Sequence, residues 1–239
     1  MKVTLINHFP LSGSGSGTYT MNIAEYLLAR GHKVSIIFPE NEDVKPIKGM
    51  EAIEQYPVYF NNHGENALDF NFPCFTTHPR SIMTFGDLTE SQLNNYMDAF
   101  RRELARNISE FKPDVIHGQH MWILSELAAE CSIPTIVTIH GTDMMGCVKW
   151  PQLKYHADNA AGNCRAALAI SHDNYNQAME LFPSLEGKLI LLHNGFNENV
   201  FYPINDINRG EVLRSYGVDY SDNNKVVFFA GKEDYFVII

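Results

Sequence analysis

The sequence is short of positive charge. Its Lys and Arg residues number 18 against 28 Asp and Glu, so the formal net charge at pH 7 is -10. Proteins that bind the phosphate backbone of nucleic acids use clustered cations. The composition therefore disfavours a nucleic-acid partner.

Long apolar runs are absent too. A membrane-spanning helix needs about 18 or more apolar residues in succession, and no stretch of the sequence approaches that length. The amino terminus lacks the basic segment and the long apolar run of a secretory leader. We expect a cytoplasmic protein without a transmembrane segment, and peripheral contact with a membrane stays open.

Cysteine is scarce and widely spaced. The chain has 4 cysteines and no C-x-x-C pair, so neither a disulfide framework nor a thiolate zinc site is expected. Buried free thiols are predicted at Cys74, Cys131, Cys147 and Cys164.

Two phosphate-binding motifs are missing. The Walker motif requires a lysine after its last glycine, and here Thr18 stands in that place. The dinucleotide motif G-x-G-x-x-G fails as well, because the third glycine is Thr18 counted from Gly13, or Thr20 counted from Gly15. A nicotinamide-dependent oxidoreductase is therefore disfavoured, although Glu40 would suit a ribose.

Apolar periodicity predicts alternating strands and helices. Residues 2–7 alternate as a strand, residues 18–30 have helical spacing, and residues 33–38 form a second strand. Such a strand–helix–strand unit builds a parallel sheet through a right-handed crossover. Further strands are predicted at 115–117, 135–139, 167–170 and 189–192, and further helices at 122–130 and 172–181, the last with Ser171 as N-cap.

A loop-rich insertion at about residues 40–88 interrupts this pattern, and it is too long for a bare connection. A capping box at Thr89 and Gln92 then begins an amphipathic helix that runs to Phe111. Together these elements predict a doubly wound, Rossmann-like α/β domain.

Domain boundaries follow from where the alternation stops. We expect the first domain at residues 1–203 and a linker, with one helix ending near Tyr216, at residues 204–224. Residues 225–239 would hold a strand at 225–230, the first element of a second domain that is largely missing.

Ligands of a doubly wound sheet bind beyond the carboxyl ends of its strands. The loop after the first strand contains Gly15, Ser16 and Gly17, whose backbone N–H groups could hold a phosphate or a sugar hydroxyl at a helix N-terminus. The alternative interpretation is a flexible loop with an N-cap.

Histidine–glycine turns follow two neighbouring strands. Imidazoles there could orient hydroxyls or offset charge on a phosphate leaving group, or they could simply be strand-end residues bonded to backbone. No metal is expected, because their spacing is not that of a metal site. The turns contain His117 and His120, and then His140, Gly141, Thr142 and Asp143.

Taken in order, these segments resemble glycosyltransferase family 4, the retaining GT-B group. The resemblance rests on the glycine–serine loop and on six motifs; Asn197 departs from the usual aspartate, and the match collapses after Lys232. The motifs are ARGHKV at 29–34, KPDVIH at 112–117, VTIHGTD at 137–143, AIS at 169–171, HNGFN at 193–197 and FYP at 201–203.

The resemblance implies that this chain is the N-terminal half of a hexosyltransferase, the half that binds the acceptor. A sugar would pass with retention from a nucleotide-sugar donor to a small-molecule, glycan or lipid-linked acceptor, without cofactor or obligatory metal. His140 would be the catalytic residue beside the sugar, and Asn194 and Gly195 would lie at the hinge side.

The insertion is expected to choose the acceptor, with Arg80 as its candidate anion-binding group or, alternatively, a solvated surface arginine. We expect the 239-residue chain alone to be inactive. The competing hypothesis is a carbohydrate-binding or regulatory module without catalysis.

Overall fold

The structure is a computed structural model that describes residues 1–205, 207–219, 221 and 226. The chain divides into two compact units, Met1–Asn194 and Gly195–Ile239, whereas the sequence prediction extended the first domain to residue 203. The strand predicted at 225–230 lies outside the described residues, apart from Val226.

The described residues of the first unit form a seven-stranded parallel sheet in the order β3-β2-β1-β4-β5-β6-β7. Strand order reverses between β1 and β4, which is the topological switch point of a doubly wound sheet. The predicted fold class is therefore confirmed. The strands are β1 Lys2–Ile6, β2 Lys33–Glu40, β3 Glu54–Tyr59, β4 Val115–Gln119, β5 Thr135–Ile139, β6 Ala166–Ala169 and β7 Leu189–Leu191.

Helices connect most of these strands, and three of the connecting helices begin at a polar N-cap, as the helix of the second unit does at Asn208. The side chains of Ser14, Thr89 and Ser171 each accept a hydrogen bond from a backbone N–H in the first turn of α1, α2 and α6, as N-caps do. The helices are α1 Gly15–Ala29, α2 Glu90–Glu110, α3 Ile123–Ala129, α4 Thr142–Lys149, α5 Lys154–Asn163, α6 His172–Leu181 and, in the second unit, α7 Arg209–Ser215.

The insertion is less irregular than predicted, because it contributes β3 to the edge of the sheet. Its side chains alternate, with Tyr56 and Val58 buried, but Pro57 hides the pattern. Proline is tolerated in an edge strand, where its missing N–H faces away from the ladder.

Two helices, α4 and α5, were missed by the sequence prediction. Gly146 lies within α4 and Pro151 follows it, so the segment resembles a loop. In α5 the buried apolar side chains are alanines, Ala157, Ala160 and Ala161, and their weak hydrophobicity gives no clear period. Helix α1 also begins earlier than predicted, because the glycines assigned to the loop form its first turn.

A closed ring of three polar side chains lies inside the core and ties α2 to the sheet. The Thr4 hydroxyl donates to Asn107 Oδ1 at 2.7 Å, Asn107 Nδ2 donates to Ser35 Oγ at 2.8 Å, and the Ser35 and Thr4 hydroxyls are 2.8 Å apart. All three residues are fully buried, so each depends on the others for its hydrogen bonds.

The cysteines are all free thiols. Cys74, Cys147 and Cys164 are buried as predicted, whereas Cys131 at the end of α3 is only half-buried.

Candidate functional site

Four histidines, three of them buried and one partly buried, gather near the carboxyl ends of β1, β4 and β5, at the switch point of the sheet. We call His8, His117, His120 and His140 the histidine cluster. Rings of His8 and His120 are 5.6 Å apart and those of His120 and His140 are 4.8 Å apart, centroid to centroid. Three of the four were predicted from sequence, and His8 was missed.

His8 fastens the end of β1 to β4 and α3. Its Nε2 accepts the Leu124 backbone N–H at 3.1 Å, so its Nδ1 carries the proton and donates to the Gln119 carbonyl oxygen at 2.8 Å. Burial is the main cause that lowers the pKa of His8 to about 3. The available signal was its position just past a strand end, but Asn7 and Phe9 beside it resemble ordinary loop residues.

His117 lies within β4 rather than beyond its end. Its Nε2 is 2.8 Å from the Thr138 hydroxyl on the neighbouring strand, and burial lowers its pKa to about 4. The structure thus gives this histidine a cross-strand hydrogen bond inside the sheet.

His120 and His140 face each other beyond the ends of β4 and β5. His120 has a left-handed backbone, with φ of 75°, and its buried Nδ1 has no hydrogen-bond partner among the described residues. Nε2 of His140 is 2.9 Å from Gln119 Oε1, and the Tyr19 ring of α1 lies edge-on to it at 5.0 Å. Burial lowers the pKa of His140 to about 4 and that of His120 well below its usual value.

The glycine–serine loop ends in the first turn of α1, beside His140. Ser14 caps the Gly17 N–H at 3.0 Å, whereas no described residue accepts from the N–H groups of Gly15 and Ser16. The Ser16 hydroxyl is also buried without a partner in the described part of the chain. Free N–H groups at the positive end of a helix dipole form an anion-binding site.

Gly17 is required for the close approach of this loop to its own helix. A Cβ there would lie 2.6 Å from the Leu11 carbonyl oxygen and 2.7 Å from that of Pro10. Residues 10 and 11 therefore lie close to the first turn of α1, and the N-cap of the alternative interpretation is present at Ser14.

Gly141, Thr142 and Asp143 form the start of α4. Gly141 has a φ of 96°, and Thr142 is partly exposed at the first helical position. The Asp143 carboxylate is buried and accepts from the N–H groups of Met121 at 2.8 Å, Gly141 at 2.8 Å and Met144 at 3.1 Å. These hydrogen bonds tie the start of α4 to the segment that follows β4. Burial raises the pKa of Asp143 to about 6 in spite of them.

Arg80 of the insertion is already paired with carboxylates. Its guanidinium bonds both carboxylate oxygens of Glu40, at the end of β2, and lies 3.2 Å from Glu42. Nearby, His78 accepts the Arg80 backbone N–H at 3.1 Å and reaches the Ser12 carbonyl oxygen at 3.2 Å. The insertion is thereby fixed to β2 and to the glycine–serine loop, and the charge of Arg80 is balanced within the protein.

The two hinge-side residues stand at the division of the chain. Asn194 is the last residue of the first unit and Gly195 the first of the second, and both are exposed. Within the described residues, no group of three or more His, Cys, Asp or Glu could hold a metal ion. No helix of that part is long and apolar enough to cross a membrane.

Comparison with curated proteins finds one glycosyltransferase relative. It is the uncharacterized glycosyltransferase MJ1178 of Methanocaldococcus jannaschii, 26% identical over 186 residues that cover 74% of this chain and 48% of the relative. The chain therefore spans about half the length of the relative.

Solved structures share the fold. Sucrose-phosphate synthase from Thermosynechococcus elongatus matches with a TM-score of 0.62 at 14% identity, over 91% of this chain and 53% of that one. Anabaena HepE, in complex with UDP, matches with a TM-score of 0.57 at 12% identity, over 91% of this chain and 50% of that one. Both are matched over about half of their length.

The family follows from the sequence itself. Residues 13–200 match the family model described as Glycosyltransferase Family 4, a span that begins in the glycine–serine loop and passes through the histidine cluster. The chain, with its Rossmann-like half of a GT-B fold, belongs to glycosyltransferase family 4.

Proposed function

We propose that the protein containing this chain transfers a hexosyl group, with retention, from a nucleotide-sugar donor to a hydroxyl acceptor. The observation that carries the proposal is the start of α1 at the switch point of the sheet, where no described residue accepts from the N–H groups of Gly15 and Ser16 and where Tyr19 of the same helix contacts His140. Anabaena HepE, whose structure in complex with UDP-glucose has a similar fold, supports a nucleotide-sugar donor.

The start of α1 suits a phosphate of the donor. The N–H groups of Gly15 and Ser16 and the buried Ser16 hydroxyl offer three hydrogen-bond donors to an anion. The net charge of the chain is -10, so the positive end of the helix dipole is a local exception to the surrounding field. In this proposal, these groups stabilise the diphosphate as its bond to the sugar breaks.

The histidine cluster is better suited to bind the hydroxyl groups of a sugar than to neutralise a negatively charged leaving group. Because burial keeps the pKa of His140 at about 4, the imidazole is neutral at pH 7 and cannot offset the charge of a leaving group as a cation. A neutral ring nitrogen can accept or donate one hydrogen bond, and this fits the orientation of a sugar hydroxyl. His140 remains the proposed catalytic residue through this contact.

The proposed reaction balances without a cofactor or an obligatory metal ion. The bond between the sugar and the phosphate oxygen breaks, the acceptor oxygen bonds to the same carbon on the same face, and the acceptor proton leaves with the phosphate. The proposal also places the acceptor, which could be a small molecule, a glycan or a lipid-linked group, mainly on this half, in a cytoplasmic protein.

Release of nucleoside diphosphate from a panel of nucleotide sugars tests the proposal. We expect His140→Ala to lower kcat/KM of the whole protein by about 10²-fold or more, with no change on addition of EDTA. The matched control is His32→Ala. His32 is half-buried and lies between α1 and β2, at the end of the sheet where the strands begin.

The 239-residue chain alone is expected to bind donor or acceptor weakly and to transfer little or nothing. If the whole protein binds sugars but releases no nucleotide from any donor, the non-catalytic binding module replaces the transferase.

A further inference from the structure

We infer that Gln119 is a positioning residue that holds His140 in the Nε2–H tautomer and so leaves the Nδ1 lone pair free to accept a ligand hydroxyl. The inference rests on the proposed function, because it explains how the tautomer of the proposed catalytic histidine is set. Gln119 ends β4, and sequence reasoning had passed over it between His117 and His120.

The hydrogen bond itself selects the tautomer. Gln119 Oε1 is a carbonyl oxygen and can only accept, so the His140 Nε2 that lies 2.9 Å away must carry the proton. A neutral imidazole has a single proton, and Nδ1 of His140 then carries a lone pair. No described residue donates to that nitrogen, and His140 is only partly buried.

Gln119 is held firmly enough to impose this choice. Its backbone carbonyl accepts from His8 at 2.8 Å, and the other nitrogen of His8 is bound to the Leu124 N–H. On the other side, β4 and β5 are paired with Gln119 opposite Thr138. Both the peptide carbonyl and the strand register of Gln119 are thus fixed.

A purely structural amide would find partners for both of its ends. Gln119 is fully buried, and yet its Nε2 has no hydrogen bond in the part of the chain that the structure describes. An unpaired buried donor costs roughly 1–3 kcal/mol. Among the described residues, the side-chain amide therefore makes its hydrogen bond through its acceptor end, to His140.

The surroundings of His140 keep its ring neutral. Which ring nitrogen carries the single proton therefore decides how His140 can bind a hydroxyl. The titratable groups near it are His8, His117 and His120 of the cluster and Tyr19 of α1. The nearby carboxylate, Asp143, is turned toward three backbone N–H groups. No described side chain therefore offers His140 a paired negative charge.

Nuclear magnetic resonance of the ¹⁵N-histidine-labelled chain tests the inference without any assay of transfer. Long-range ¹H–¹⁵N correlations distinguish a protonated from an unprotonated ring nitrogen. We expect the Nε2–H form of His140 at pH 7, and a mixture of both tautomers in Gln119→Leu. Gln177→Leu, which changes an exposed glutamine on α6, should leave the His140 signals unchanged.

A second variant covers the case in which Gln119→Leu does not fold. Gln119→Glu keeps the acceptor and adds a negative charge, which raises the pKa of His140 and protonates Nδ1 as pH falls. Activity of the whole protein should then fall roughly tenfold at acidic pH and recover at alkaline pH, whereas wild type shows no such step.

The outcomes separate the inference from the proposed function. An Nδ1–H tautomer in wild type, or an unchanged tautomer in Gln119→Leu, overturns the inference alone. A tautomer change in Gln119→Leu together with unaltered kcat/KM upholds the positioning role and overturns the catalytic role of His140 instead.

Discussion

Two regions of the molecule bury histidine in opposite ways. In the histidine cluster, four imidazoles contact backbone, hydroxyl, amide and aromatic groups, and no carboxylate of the described residues pairs with them. Between α3 and α5, His156 is 1% exposed and is paired through Nδ1 with the buried carboxylate of Glu126. Asn159 donates to the second oxygen of that carboxylate at 2.7 Å.

The difference is one of location and of charge pairing. The Glu126 pair lies between α3 and α5, and both oxygens of its carboxylate are bonded by the protein, although His156 Nε2 is buried without a partner among the described residues. The cluster lies at the strand ends, where ligands of a doubly wound sheet bind, and unpaired buried atoms lie on His120 and on the nearby Gln119 and Ser16. Unpaired buried atoms occur in both regions, so the position at the strand ends is what marks the cluster as the candidate ligand site.

The largest expected effect is the loss of stability that the histidine cluster causes at acidic pH. Burial lowers the folded-state pKa values of His8, His117 and His140 to about 3, 4 and 4, and it lowers the pKa of His120 well below its usual value. Unfolded histidine titrates near pH 6.5, so the unfolded state binds more protons below that pH and stability falls. As the pH falls from roughly 6.5 to 4, each of these histidines lowers the free energy of unfolding by about 1.4 kcal/mol per pH unit.

Asp143 works in the opposite direction, because its raised pKa of about 6 means that the folded state takes up its proton first. Urea unfolding at a series of pH values measures the sum. His117→Gln should reduce the slope by about 1.4 kcal/mol per pH unit, whereas His32→Gln should not. Equal slopes for wild type and His117→Gln would contradict a neutral cluster.

Removal of the Glu126 carboxylate should show how much its pairing with His156 stabilises the fold. Glu126→Ala leaves His156 buried without its carboxylate, and the expected loss is about 3–5 kcal/mol in the free energy of unfolding. Glu130→Ala, at an exposed position at the end of α3, is the matched control and should cost much less. Ligand affinity of the surviving folded fraction should stay the same; a drop in affinity at unchanged stability would place this pair in the site.

A smaller effect tests how tightly the cluster is built. A Cβ on Gly118 would lie 2.4 Å from the Ser125 hydroxyl oxygen, which itself donates to the His120 carbonyl at 2.6 Å. Gly118→Ala should therefore cost roughly 1–3 kcal/mol through overpacking, measured by urea unfolding. Adding Ser125→Ala should restore part of the loss, and a pair of strictly additive effects would show that the two sites do not touch.

The fold was largely predictable because its signals are local. Apolar alternation, the capping box at Thr89 and the N-cap at Ser171 are each contained in a few residues. The strand β3 was lost because Pro57 breaks its pattern, although an edge position tolerates it. Helix α5 was lost because its buried residues are alanines, whose size suits close packing but whose hydrophobicity is weak.

The site was predictable in location and less so in detail. Strand order places ligands at strand ends, and this found Ser16, His120 and His140. The partners of Arg80 and Asp143 could not be predicted, because Glu40 and Met121 reach them through tertiary packing. His8 and Gln119 were missed for the same reason: their hydrogen bonds join residues 111 and 21 positions apart.

The bridge from His8 to Gln119 also has a consequence for folding. It spans 111 residues, and its formation requires β1 and β4 to pair at the centre of the sheet. Contacts of such long sequence separation slow folding, and we expect partly folded chains to lack the candidate site. If the proposed donor binds there, its binding should stabilise the completed sheet by mass action, and its affinity would then be a probe of global unfolding.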